Sequence, residues 1–311
     1  KEIMEDALFN FAKAAYELSY DPYNEAVQAF EEYIDKNPNS ARVDEAYEFL
    51  LKVYLTTKNY EAALKSIEKI KNQTAEQKAT YQRIAYVRGT ELFHDLRFKK
   101  AVHLFKASEK FPINPKITAQ AIYWQAEAYS RMKRWKTAEA HYKLFMEAPS
   151  AIQLPQFGQA HYGLAYVYFE NEKYEQAIGW FRKFVDYEKK DSVRVNDGFL
   201  RIADAFYLQK NNARAIEFYD KAIKYNKFDT DYAIFQIAVC YGLDGKNASK
   251  IETLKAMLNN YPKTDFAADA KYEIAETYFF QDKAEKAIEY FDLVVSEHPN
   301  SSYVRKAKLN K

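Results

Sequence analysis

The chain has 311 residues, 46 of them basic and 44 acidic, and a formal charge of +2 leaves no overall field to gather nucleic acid or anionic lipid. Only 7 Gly and 8 Pro interrupt it, and a 48% hydrophobic content with abundant Ala, Leu, Lys and Glu argues for a helical chain that buries a large core. The single Cys240 excludes a disulfide framework and a thiolate metal cage, and no run of about 18 apolar residues exists to span a bilayer.

The opening residues, KEIMEDALFNFAKAAY, predict an amphipathic helix rather than a signal peptide. A spacing then begins that governs the rest of the chain: aromatic, two residues, small, aliphatic, two residues, large apolar. It appears as Tyr23/Ala26/Val27/Phe30, Tyr60/Ala63/Leu64/Ile67, Phe98/Ala101/Val102/Phe105, Trp135/Ala138/Glu139/Tyr142 and Tyr174/Ala177/Ile178/Phe181. Weaker copies follow at Asn212/Ala215/Ile216/Tyr219 and Asn247/Lys250/Ile251/Leu254, and a better one at Ala284/Ala287/Ile288/Phe291. The small position thus falls at 26, 63, 101, 138, 177, 215, 250 and 287, steps of 35 to 39 residues. Within a copy the spacing places its residues on one helical stripe. A fixed period of this size predicts a solenoid, whose units stack because none can bury its apolar face alone.

Each such helix is the second of a pair. Twelve residues before the small position stands another small residue in the later units, Ala126, Ala165, Ala203, Ala238 and Ala275, each followed three residues on by Tyr129, Tyr168, Phe206, Tyr241 or Tyr278. Small residues on both helices permit close approach, and the rings fill the wedge beside them. Gly89 and Leu51 take this place in the third and second units, and in the first the choice lies between Ala14 and Ala15. Pro38, Pro262 and Pro299 sit 12 residues after the small position and predict the end of a second helix, with Ser40, Thr264 and Ser301 placed to cap the next. TAEQ at 74–77 has a capping-box pattern, FPINP at 111–115 marks a further break, and GLDG at 242–245 reads as a turn.

These motifs resemble the tetratricopeptide repeat over essentially the whole chain. The resemblance implies an all-α, right-handed superhelical solenoid of about eight helix-turn-helix repeats, at 3–38, 40–72, 75–112, 115–149, 155–189, 191–226, 229–262 and 264–299, with 301–311 starting a further helix. The period exceeds the usual length of about 34 residues, and the Pro-x-Ser/Thr turns look like the bacterial cell-envelope, BamD/YbgF-like branch. The branch implies a periplasmic or outer-membrane-associated assembly or adaptor factor, the chain itself reading as a piece of a longer protein. A cytoplasmic regulator that binds signalling peptides or self-associates is the alternative.

In this family the first helices line the concave face. The resemblance therefore implies a partner-binding groove of Tyr86, Phe93, Tyr123, Glu127, Tyr162, Tyr166, Phe169, Asp204, Tyr207, Phe235, Tyr272, Glu276 and Phe279. Rigid rings suit a segment of a partner protein or peptide, because they offer contact area with little rotamer entropy to lose. The Lys/Asn carboxylate clamp of chaperone-type members is not expected, since Tyr123, Glu127, Tyr162 and Tyr166 hold its places. RMKRWK at 131–136 is the densest basic stretch and reads as a solvated turn at a helix end, where the dipole favours cations. The five His never form HxxxH, no GxGxxG or GxxxxGK[ST] occurs, and no carboxylate pair stands out, so neither enzyme, cofactor, metal site nor nucleic-acid partner is expected.

Overall fold

Helix follows helix in a computed structural model that describes residues 2–18 and 22–310, with side chains described at 3–17 and 25–310. No strand occurs among the described residues. The expected aromatic landmark Tyr23 lies outside the described side chains.

The pairs are α1 (Glu2–Leu18) with α2 (Pro22–Lys36), α3 (Val43–Thr56) with α4 (Tyr60–Lys69), α5 (Ala75–His94) with α6 (Phe98–Glu109), and α7 (Pro115–Arg131) with α8 (Trp135–Glu147). They continue as α9 (Gln156–Glu170) with α10 (Tyr174–Tyr187), α11 (Ser192–Leu208) with α12 (Asn212–Tyr225), α13 (Thr230–Leu243) with α14 (Asn247–Asn260), and α15 (Ala267–Phe279) with α16 (Ala284–Glu297), before α17 (Val304–Asn310). The chain divides into two compact units, 1–160 and 161–311, the division falling inside α9.

The stacking has a steric basis. Ala26, Ala63, Ala101, Ala138, Ala177, Ala215 and Ala287 are all buried, and so is the large residue four positions after each: Phe30, Ile67, Phe105, Tyr142, Phe181, Tyr219 and Phe291. A small residue seats the neighbouring helix and a large one, one turn on, fills the gap; burying each such ring or branched chain contributes about 1.5–3 kcal/mol. On the first helices Ala126, Ala165, Ala203, Ala238 and Ala275 are likewise fully buried. In α1 the fully buried alanine is Ala12, and Ala14 and Ala15 are only half-buried, which corrects the expected register there.

Two departures from the small-residue pattern have local compensations. A Cβ on Gly89 would stand 2.7 Å from the Phe105 ring, so this first-helix seat has no room even for alanine. In the seventh unit Lys250 replaces the alanine and points its amine to Glu273 at 2.6 Å. Gly242 opposite makes room for its stem, since a Cβ there would lie 2.9 Å from the Lys250 Cδ.

The breaks follow from sequence. Second helices stop before Pro38, Pro262 and Pro299. Ser40, Thr264 and Ser301 accept the N–H two residues on, from Arg42, Phe266 and Tyr303, and so form tight turns ahead of the helix rather than the expected cap at its first residue. Thr74 and Gln77 make the expected reciprocal capping box, and Asn114 caps α7 ahead of Pro115.

Within the hairpins one turn recurs. Lys58, Leu96, Lys133, Glu172, Lys210, Gly245 and Asp282 all have positive φ, between 55° and 73°. The residue after each donates back across the turn, as Arg97 does to the Leu92 carbonyl at 2.8 Å and Lys283 to Tyr278 at 3.0 Å. This is a Schellman-type stop, and a left-handed non-glycine residue costs roughly 1–2 kcal/mol.

Candidate partner-binding wall

The first helices present a face built differently in the two units. In unit 1 it is made of rings. Phe93 on α5 lies 4.8 Å from Trp124 on α7 and 5.3 Å from Phe98, while Tyr86 packs on Phe105. Glu127 accepts the Tyr142 hydroxyl at 2.6 Å.

In unit 2 the corresponding face carries a chain of charges and hydroxyls. Asp197, Arg201 and Asp204 follow one another at i, i+4 and i+7 on α11, so that they share one stripe. The Arg201 guanidinium donates to Asp197 at 3.3 Å and to Asp204 at 2.7 Å. Tyr162 and Tyr166, one turn apart on α9, both donate to Asp197 Oδ2, at 2.7 and 2.5 Å. Tyr219 on α12 and Tyr232 on α13 both donate to Asp204 Oδ1, at 2.7 and 2.9 Å. Two carboxylates, one cation and four hydroxyls thereby satisfy each other across four helices, as part-buried polar groups must.

Burial, with the Asp197 charge behind it, pushes the Tyr162 and Tyr166 phenols far above their ordinary value; burial and Asp204 do the same to Tyr219 and Tyr232. Burial opposes the charge on Arg201, but Asp204 and Asp197 outweigh it and hold the guanidinium more basic than usual. Burial raises the Asp204 carboxyl against the pull of Arg201 and the two hydroxyls. These tyrosines are neutral donors near neutral pH, and their hydroxyls hold the two carboxylates in place. Among the described residues no His, Cys, Asp and Glu group is placed to hold a metal.

The expected groove residues separate into two kinds. Tyr123, Asp204 and Tyr272 are buried and belong to the packing, which corrects their assignment as open lining. The position three before the small residue tucks between its own second helix and the next first helix: Tyr123 packs on Tyr142 and Phe145, and Tyr272 on Phe291 and Tyr303. Tyr162 and Tyr166 are half-buried against Phe181, with their hydroxyls committed to Asp197. Tyr86, Phe93, Glu127, Phe169, Tyr207, Phe235 and Glu276 are half-buried and keep surface open, and Phe279 is 47% exposed. Trp124, Asp197 and Arg201 were not anticipated. Four charges at i, i+3, i+7 and i+10 of α11, from Arg194 to Asp204, were the available signal, but the same spacing also describes a solvated face.

Tetratricopeptide-repeat family models match residues 6–40, 197–227, 232–264 and 269–301, and a second such model matches 123–193, together more than half of the chain. No curated protein matches by sequence. Among solved structures, the Naa15/Naa10 complex bound to HypK-THB is 15% identical with a TM-score of 0.56, covering 96% of this chain and 43% of that one. YrrB, a TPR protein with an unusual peptide-binding site, is 23% identical with a TM-score of 0.47, covering 61% of this chain and 91% of its own. PilF of Pseudomonas aeruginosa is 13% identical with a TM-score of 0.49, covering 75% and 99%. The repeat matches, the all-α hairpin architecture and the alanine seats agree: the chain belongs to the tetratricopeptide-repeat family.

Proposed function

We propose that the protein is a non-catalytic interaction scaffold that holds a segment of a partner protein along the first-helix wall of unit 2. The observation that carries this reading is the division of labour on that wall. Asp197, Arg201 and Asp204 are locked by each other and by four tyrosine hydroxyls, while Phe169 (edge-on to Tyr174), Tyr207 and Phe235 (stacked on Phe266) are half-buried and keep the rest of their ring surface open. A wall whose polar groups are already satisfied loses little side-chain entropy when a partner docks, and free rings supply the anchoring contact.

The test separates capture from stability. Phe169→Ala with Tyr207→Ala should abolish retention of the partner that the unchanged chain captures from its source cells, with melting shifted by no more than a few degrees. Retention equal to that of the unchanged chain contradicts the reading. The cell-envelope setting, periplasmic or outer-membrane-associated, is part of the proposal; the repeat steps of 35 to 39 residues and the Pro-x-Ser/Thr turns support it. Fractionation that recovers the native protein in the cytoplasm overturns that part alone.

A further inference from the structure

Away from the wall, unit 1 has a hollow of about 530 Å³ where α4 and α6 splay over α5. Its apolar lining includes Leu64, Leu92, Leu104 and Ala107. It opens because the stripe of α4 that faces it carries Glu61, Lys65 and Glu68 around Leu64, so that no continuous apolar ridge of α4 can close on α6. A second hollow, of about 370 Å³, lies next to it and is lined by Leu96, Phe98 and Met132. Arg97, Lys99 and Lys100 line both hollows and form the ridge between them.

The charges of this region are unevenly satisfied. Glu61 is taken by Lys65 at 3.2 Å, Glu68 by the Tyr81 hydroxyl at 2.6 Å and Lys110 at 3.5 Å, and Arg88 by Glu91 at 2.8 Å. Arg97, Lys99 and Lys100 are exposed and make no ion pair among the described residues. The next hairpin turn, in RMKRWK, adds exposed Arg131, Lys133, Arg134 and Lys136, also without ion pairs there. At the tip of the ridge Leu96 has φ +60° and is 74% exposed. Its left-handed backbone is the helix stop shared with six other hairpin turns, and its side chain adds open apolar surface beside the cations.

We propose that these hollows take an acidic segment of a partner protein, whose apolar side chains seat on the half-buried Leu104 and Ala107 above the buried Leu64 and Leu92 while its carboxylates meet Arg97, Lys99 and Lys100. Complementary charge supplies the orientation, and the concave apolar lining supplies the contact. A bilayer is too flat to enter a hollow whose apolar surface lies behind its cations. A nucleic-acid backbone offers nothing to cover leucines; of the two rings that line the hollows, Tyr81 is buried against Phe111 and Phe98 is half-buried against Phe93, and stacking on them is the outcome the oligonucleotide control detects. The hollows belong to unit 1 and share no residue with the wall proposed for unit 2, and their failure leaves the wall reading untouched.

The experiment uses the whole chain and a dye-labelled fifteen-residue peptide of alternating Glu-Asp and Leu blocks, read by fluorescence anisotropy. Controls are the same peptide with Ser for Leu, the same with Lys for the acids, a single-stranded oligodeoxynucleotide, and vesicles containing phosphatidylserine. Saturable binding of the acidic leucine peptide is expected, weaker with rising salt and at least about tenfold weaker for the Ser peptide. R97A/K99A/K100A, all at exposed positions, should weaken it roughly tenfold with unchanged melting, and L96S should weaken it less. Equal binding of the peptide by the triple variant overturns the proposal, as does preference for the oligonucleotide or the vesicles, or equal binding of the Ser peptide.

Discussion

The first-helix faces of the two units rest on the same seats and carry different chemistry. In unit 1 the face is ring on ring, Phe93 against Trp124 and Phe98, and in unit 2 it is Asp197–Arg201–Asp204 with four tyrosine hydroxyls. Beneath both lie buried alanines, Ala101 and Ala138 in one, Ala177 and Ala215 in the other. Spacing between helices is therefore set by the seats, and the exposed face is free to vary without disturbing it. The hairpin turns differ in the same way. Two residues before the left-handed residue stand Thr56, His94 and Arg131 in unit 1, and in unit 2 Glu170 and then the exposed Leu208, Leu243 and Phe280.

The largest effect should come from the seats and be the same in both units. Ala63→Glu and Ala177→Glu each bury an unpaired charge, and each should cost about 4 kcal/mol or more by chemical unfolding. A loss confined to one unit would break the equivalence of the seats.

Next come the faces, where the units should part. Arg201→Ala leaves two carboxylates facing each other and should cost about 2–4 kcal/mol, less than for a fully buried pair because the side chain keeps 25% of its surface in water. Protonation relieves that repulsion. Burial has already raised the Asp204 carboxyl, so the deficit of Arg201→Ala should shrink as pH falls, beginning above the ordinary carboxylate range. Trp124→Ala in unit 1 removes ring contacts to Phe93 and His94 and no carboxylate, so its cost, about 2 kcal/mol for a half-buried ring against about 3–5 for a fully buried one, should stay level across the carboxylate range.

A smaller effect tests the compensation in the seventh unit. Gly242→Ala should cost about 1–3 kcal/mol by crowding Lys250, and most of that should vanish when Lys250→Ala is added; an additive double variant would contradict the pairing. Smallest of all, Lys133→Gly and Glu172→Gly relax a left-handed residue at φ 57° in each unit and should raise stability by up to about 1 kcal/mol apiece, seen as a higher melting temperature.

Much of the fold was legible because its cause is local. The spacing that put Ala177 and Phe181 on one stripe is the spacing that buries them, and the prolines end the helices they were expected to end. The wall was harder to read. Whether Tyr123 or Trp124 faces outward depends on how the following first helix packs, and one position along a helix turns a side chain by about 100°. The left-handed turns were hidden for another reason: only Gly245 among the seven is glycine, and a Leu or Lys at such a place carries no sequence signal. The hollow behind Arg97 depends on α4 and α6 failing to meet, which pattern reasoning within single helices does not reach.

The most direct test of the account is a photo-crosslinking scan in the source cells, with benzoylphenylalanine placed one position at a time at Phe169, Tyr207 and Phe235 on the wall, and at Tyr225 and Ile288 on second helices. The account predicts one shared crosslinked partner at the three wall positions and none at the other two. Crosslinks at 225 or 288 with none at the wall would contradict it.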